Sequence, residues 1–320
     1  MLTNLKISGF KCLKSVDVPL KPLTVLIGPN DTGKSAFLSA VKHLSQRFQD
    51  CPFASDDFWR FDRTCSIDIV GGTALGEVSK SFTDGDHGQR APMSGLDLIL
   101  PISQFQLPMA GIATRCAGFA ENESPWQLGG GGERLAAVLD ALLRLDRPRF
   151  DQVVRVLRDL VPGFENLQIK TPTADTREVF FEIDDGFVMP ASQASVGVRL
   201  LLFIVVLVHS PQPPRIILLE EPENGVHPRR LEEIMLMLHQ ATLGAYGGRP
   251  SQVIVTTHSP YLLDHVDLET DQVLVFSREE DGSRTARPVD ASRMKTFLDE
   301  FMLGEVWFNQ SEEGLVAKPS

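Results

Sequence analysis

Apolar and polar positions change period along the chain, and each change predicts a different kind of element. Near the N-terminus they alternate, Leu5 and Ile7 with Lys6 and Ser8 between, then Val16, Val18 and Leu20. A period of two is that of half-buried strands, here an antiparallel pair. Leu23–Ile27 is nearly all apolar, as in a strand buried on both faces. It runs directly into Gly28–Ser35, after which Ala36–Phe48 reads as a helix. Farther on, Cys65–Val70, Ala74–Phe82 and Leu96–Ile102 read as antiparallel strands separated by turn-rich stretches such as Thr83–Gly88. Gln104–Gly132 reads mostly as loop, the run Gly129–Gly132 included.

A helical period follows. Leu135, Val138, Leu139 and Leu142 fall at i, i+3, i+4 and i+7, and so do Phe150, Val153, Val154 and Leu157, predicting two amphipathic helices with Arg147-Pro148 between them. Strands are expected at Asn166–Lys170 and Glu178–Asp184. The last part alternates helix and strand: Ser195–His209 (helix), Arg215–Leu219 (strand), Pro228–Thr242 (helix), Gln252–Thr257 and Gln272–Phe276 (strands), with a hairpin turn at Glu279–Gly282. Such alternation signals a parallel sheet flanked by helices.

Composition narrows this picture. With 42% hydrophobic and 23% charged residues, the chain has ordinary globular proportions. Its net charge of −11 argues against a surface coated in basic groups for nucleic acid, though a local basic groove is compatible with it. Cys12, Cys51, Cys65 and Cys116 form no CxxC pair, so reduced thiols in a cytoplasmic protein are expected rather than a zinc site. The longest apolar run, Leu200–Val208, is far short of the about 20 residues that span a bilayer, and no signal peptide is visible. No membrane association is expected.

The chemistry sits where buried strands end. Gly28-Pro29-Asn30-Asp31-Thr32-Gly33-Lys34-Ser35 fits G-x-x-x-x-G-K-[ST]. In that pattern glycines let backbone N–H groups turn inward to cradle phosphates. The loop runs on into Ala36 at the start of the helix. Lys34 then reaches the β/γ-phosphates and the Ser35 hydroxyl ligates Mg²⁺. Ile216–Leu219 is an apolar strand closing on Glu220, Glu221 and Pro222; by order, Glu220 is assigned to the metal and Glu221 to the attacking water. His258 ends a third apolar strand, where a histidine could sense the γ-phosphate or simply be structural. Ser195-Val196-Gly197 opens the apolar helix, an anion site or an ordinary N-cap.

In that order, the Gly28–Ser35 loop, Ser195-Val196-Gly197, Glu220-Glu-Pro-Glu-Asn-Gly-Val-His-Pro228 and Thr256-Thr-His-Ser-Pro260 resemble the RecF-like and SMC-related ABC ATPases. Leu5–Lys11, Pro22–Asn30, Pro190–Gln193 and Leu303–Trp307 are similar to stand-alone ATP-binding proteins of the same group, related to the OLD-family ATPase head. The resemblance implies an α/β P-loop NTPase of the ABC ATPase-head type. Its mixed, largely parallel sheet would be flanked by helices, with an antiparallel β subdomain and a small helical lobe. The expected layout is one head: residues 1–130 an N-terminal lobe with the P-loop, 131–190 a helical and strand insert, and 191–320 a C-terminal lobe. It further implies ATP and Mg²⁺ as ligands and a head-to-tail homodimer, in which Ser195 and Gly197 close over the partner's ATP. Val196 departs from the usual Ser-Asp-Gly or Ser-Gly-Gly, Glu220 stands where many relatives have Asp, and Gln104 and Gln106 are candidates for the Mg²⁺-sensing glutamine.

Between Ser35 and Ser195 there is no sustained heptad array of the kind that builds SMC arms, and too little chain follows His258 for an OLD-type nuclease domain. The expectation is an ATP-hydrolysing switch serving DNA repair or defence against foreign DNA through a partner such as a nuclease, with direct DNA contact left open. The alternative is a nucleotide-gated scaffold with little turnover. The ATP-binding subunit of a membrane transporter is disfavoured by the Pro222–Pro228 turn.

Overall fold

A computed structural model of the chain describes residues 1–44, 54–62, 65–82, 102–106, 112, 114–120, 123–247, 249–298 and 300–316. Two compact units interleave along the sequence. The first is Met1–Gln104, Pro214–Glu220 and Ser251–Ser320; the second is Phe105–Pro213 and Glu221–Pro250.

The first unit is built on a mixed ten-stranded sheet. Its strands are β1 (Leu2–Phe10), β2 (Leu13–Pro19), β3 (Leu23–Ile27), β4 (Ile67–Thr73), β5 (Gly76–Phe82), β6 (Ile102–Gln106, whose last two residues enter the second unit), β11 (Ile216–Glu220), β12 (Gln252–Thr256), β13 (Gln272–Arg278) and β14 (Arg284–Pro288). They lie in the order β5-β4-β1-β2-β14-β13-β3-β12-β11-β6. The four neighbours β13, β3, β12 and β11 are parallel; they are the run Leu23–Ile27 and the three strands of the C-terminal helix–strand alternation. The alternating N-terminal pair is antiparallel as expected, with Leu5 opposite Val18 and Ile7 opposite Val16. Helix α1 (Lys34–His43) drives Phe37, Leu38 and Val41 into the core with Leu5, Ile7, Ile69, Ile254 and Phe276. Its other α-helices among the described residues are α6 (Pro260–Leu263), α7 (Ala291–Leu298) and α8 (Leu303–Leu315).

In the second unit β7 (Arg115–Ala117), β8 (Phe164–Thr173) and β10 (Phe187–Pro190) all pair antiparallel with β9 (Thr176–Ile183). Its helices are α2 (Leu135–Leu145), α3 (Arg147–Leu160), α4 (Val196–Val208) and α5 (Leu231–Thr242). Helix α4 is buried from Leu200 to Val208, which suits a helix apolar on every side.

Several sequence expectations shift. Arg147-Pro148 does not separate α2 from α3 but forms the first turn of α3. Asp146 caps that turn by accepting from Arg149 N at 3.3 Å, and a proline near the helix start needs no N–H partner. Pro228–Arg230 is a 3₁₀ turn and α5 begins only at Leu231. The stretch expected as loop after Gln104 contains β7, and Gln104 itself lies inside β6. Ala36–Phe48 is helical through His43, and its residues 45–48 lie outside the described residues, as do residues 83–88 and 96–101, Cys51 and His87. Among the described residues no helix is long and apolar enough to cross a membrane.

One buried side chain of the first unit ties β12 to the start of β1 and to the β2–β3 connection. Gln252, at the start of β12 and fully buried, accepts from Leu2 N at 2.7 Å and donates to Leu2 O at 2.8 Å and Lys21 O at 3.2 Å. Replacing it with leucine removes the partners of buried backbone groups, each costing about 1–3 kcal/mol. Gln252→Leu is therefore expected to lower unfolding free energy by about 2–4 kcal/mol in denaturant titrations.

Candidate functional site

The site grows from the C-terminal ends of the parallel strands, where α/β sheets place ligands. Strand β3 is buried throughout and stops at Gly28. Gly28 has φ 135°, and a Cβ there would lie 2.2 Å from Phe276 O on β13, so no side chain fits. Asp31 (φ 61°) and Gly33 (φ 101°) complete the left-handed bends. A Cβ on Gly33 would meet Leu13 Cδ2 at 2.8 Å and Cys12 Sγ at 3.2 Å. The Thr32 hydroxyl donates to Pro29 O at 2.8 Å. Lys34 is 6% exposed and its ammonium donates to Gly28 O and Pro29 O, both at 2.8 Å. Helix α1 then starts with the backbone N–H groups of Lys34, Ser35 and Ala36 in its first turn, where a helix offers donors and a positive dipole end. A loop bent at two glycines that can carry no side chain, a buried cation and a helix N-terminus together fit a phosphate chain.

Beside this loop the structure brings three sequence candidates together. Glu220, the last residue of β11, accepts from the Ser35 hydroxyl at 3.1 Å on one oxygen and from the Gln104 amide at 2.7 Å on the other. Gln104 reaches it because β6 is the neighbour of β11 in the sheet. Hydroxyl, carboxylate and amide carbonyl are the oxygen donors a hard divalent cation takes, so these residues fit Mg²⁺. The side chain of Gln106, the other glutamine candidate, lies outside the described residues.

Strand β12 runs between β3 and β11, with Thr256 opposite both Leu26 and Glu220. It carries the chain into Thr257, whose N–H donates to Leu26 O at 3.0 Å and whose hydroxyl accepts from Ser259 N at 3.0 Å. Half-buried His258 sits between those anchored residues, just before α6. The P-loop, Glu220 and His258 therefore leave the same end of three adjacent strands.

The remaining candidates belong to the second unit. Glu221 opens it with φ 49°, a left-handed conformation rare outside glycine and concentrated at functional positions. Its carboxylate accepts from the Asn224 amide at 2.5 Å, and its carbonyl accepts from Asn224 N at 3.1 Å. Exposed Ser195 caps α4, its hydroxyl accepting from Val198 N at 3.3 Å. Gly197 abuts the turn that follows Glu221: a Cβ on it would lie 2.6 Å from Gly225 O, and Val196 Cγ1 would stand 3.0 Å from a Cβ on Gly225. The spacing Ser-x-Gly thus has a packing reason within the chain itself.

One contact to the loop has no motif to announce it. Arg284, first residue of β14, donates from Nε to Asp31 O and from Nη2 to Asp31 Oδ2, both at 3.0 Å. The nearby Cys12 thiol is pushed above its usual range by burial, partly offset by Arg284.

Two family models match the chain: "AAA domain, putative AbiEii toxin, Type IV TA system" over residues 114–264, and "AAA ATPase domain" over residues 1–80. A segment of 76 residues is 39% identical to an OLD nuclease from Thermus scotoductus, taking in 22% of this chain and 14% of that protein. Among solved structures, an SMC head bound to the C-winged helix domain of ScpA superposes with TM-score 0.59 at 14% identity, covering 93% of this chain and 99% of that one. The SMC head domain from Thermotoga maritima gives 0.51 at 15% identity, over 91% and 99%. Those low identities speak for the fold. The fold is that of an SMC-type ATPase head, and separate parts of the chain are similar to AAA ATPase domains and to an OLD nuclease.

Proposed function

We propose that the chain is an ATP-hydrolysing switch. The observation that carries this reading is the meeting of Ser35 and Gln104 on Glu220 beside the Gly28–Ser35 loop. Backbone N–H groups from Gly28 to Ala36 hold the phosphates, and Lys34 turns from the loop carbonyls toward the β- and γ-phosphates. Ser35, Glu220 and Gln104 hold Mg²⁺, which when bound offsets charge on the phosphate oxygens. Glu221 orients the attacking water and takes its proton, with Asn224 holding the carboxylate in place. His258 hydrogen-bonds at the γ-phosphate end.

In this reading both units serve one head, and two copies close head-to-tail over two ATP molecules, with Ser195 and Gly197 acting on the partner's nucleotide. The output is DNA repair or defence against foreign DNA through a separate partner. Support for that is at family level: the toxin-system family description, the OLD nuclease segment, and a solved SMC head seated with ScpA. The second reading, a nucleotide-gated scaffold with little turnover, is favoured by Val196, whose methyl packs against Gly225 in place of the usual small or acidic residue.

Two variants test these assignments. Lys34→Ala is expected to weaken ATP at least tenfold in calorimetry, the scale of a lost charge-assisted contact; unchanged affinity contradicts the loop assignment. Glu221→Gln is expected to keep ATP affinity, lose steady-state turnover by about 100-fold or more, and run as a dimer with Mg-ATP in sizing columns. Wild-type turnover no faster than this variant decides for the scaffold. A variant that stays monomeric contradicts the sandwich.

A further inference from the structure

The motif Leu303-Gly-Glu-Val-Trp307, which the nucleotide site leaves without a role, opens α8 and comes to lie against the turn that carries His258. That turn is anchored on one side by Thr257, whose N–H is tied to Leu26 O of β3. On the other side stands α6, a single turn of four residues, too short to hold its shape alone in water. Its Leu262 and Leu263 are wholly buried. Ser259 O accepts from Leu262 N at 3.2 Å and Pro260 O from Asp264 N at 3.3 Å.

The second anchor is the first turn of α8. Its N-cap residue, Met302, offers no side-chain hydrogen bond. Two carboxylates serve the turn instead: Glu305 accepts from Met302 N at 3.1 Å, and Asp264, just past α6, accepts from Gly304 N at 3.0 Å. An acid brought from another element to a helix start satisfies an N–H that the helix cannot, and meets the positive end of its dipole. The approach is closest at Gly304. A Cβ there would lie 2.1 Å from Pro260 O and 2.7 Å from Asp264 Oδ1. Glycine is a poor helix former, and this contact of backbone on backbone explains its place inside α8. Leu303 and Val306 beside it are buried. At the far end, Leu315 O accepts from Asp290 N at 3.1 Å and Val316 bridges Val289, both just after β14. Helix α8 is therefore a strut fastened at both ends, with Pro260 under its start.

We propose that Asp264 and Gly304 are positioning residues for His258, holding the turn on which the imidazole meets the γ-phosphate end of the site. The effect on turnover rests on the ATPase reading above; the placement of the imidazole is measured without it. Asp264→Ala is expected to lower kcat about tenfold with KM for ATP within twofold. Asp264→Asn, which keeps an acceptor for Gly304 N–H, is expected to restore most of the rate. On a His258→Ala background Asp264→Ala is expected to add less than twofold, because the two act through one group. Gly304→Ala, which drives a methyl against Pro260 O, is expected to lower kcat at least as far. Wild-type kcat in Asp264→Ala or in a folded Gly304→Ala overturns the proposal, and so does a full additional loss on the His258→Ala background. An equal loss in Asp264→Asn and Asp264→Ala assigns the effect to charge and overturns it as well. In protein labelled with ¹⁵N-histidine, the His258 imidazole signals, identified by their loss in His258→Ala, are expected to move in Asp264→Ala and to return in Asp264→Asn. Signals unmoved in Asp264→Ala overturn the positioning whether or not the protein turns over. Wild type without ATP turnover removes the ATPase reading and leaves this last test standing.

Discussion

The carboxylate of Glu220 is the point on which the site depends. One oxygen takes the hydroxyl of Ser35 and the other the amide of Gln104, so the start of α1, the end of β11 and the middle of β6 are tied at a single group. None of these is near another in sequence. What brings them together is the register of the parallel strands, which sets Glu220 level with Thr256 and Thr256 level with Leu26. The close-packed apolar side chains of β3, β12 and β11, buried on both faces, fix that register, because a slip would mismatch the packing on each face. A carboxylate at the sheet's edge thus inherits its position from the core.

The loop's shape is imposed from the other side. β13 passes so close that Gly28 can carry no Cβ, and Leu13 and Cys12 impose the same limit on Gly33. Arg284 then fixes Asp31 from β14. The pattern of glycines is therefore a record of two neighbouring strands. The loop is thus flanked by the Glu220 carboxylate toward β11 and held by Arg284 toward β14.

Much of this was legible in the sequence, for a physical reason. Strands buried on both faces must be almost wholly apolar, so β3, β11, β12 and β13 declare themselves, and the polar residues that end them stand out. The N-terminal hairpin was equally plain, since Leu5, Ile7, Val16 and Val18 alternate with polar residues over two faces. Gln104 and Arg284 were hard to place because their strands carry little apolar signal: Ile102–Gln106 gains its place beside the distant β11, and Arg284–Pro288 by folding back on β13 as a hairpin. Arg147-Pro148 misled in a different way. Proline ends many helices, but with Asp146 as cap it opens one here. The Ser195-Val196-Gly197 segment was found, yet its contact with Gly225 arises across some 28 residues of chain that local pattern cannot bridge.

The central claim is that Glu220, with Ser35 and Gln104, is a magnesium station serving a nucleotide on the Gly28–Ser35 loop. Its most direct test is ATP titration with and without Mg²⁺, comparing wild type with Glu220→Ala. The account predicts that Mg²⁺ tightens ATP binding in wild type and that this increment disappears in the variant, while Mg²⁺-free affinity stays close to wild type. The same Mg²⁺-dependent gain in both proteins would contradict it.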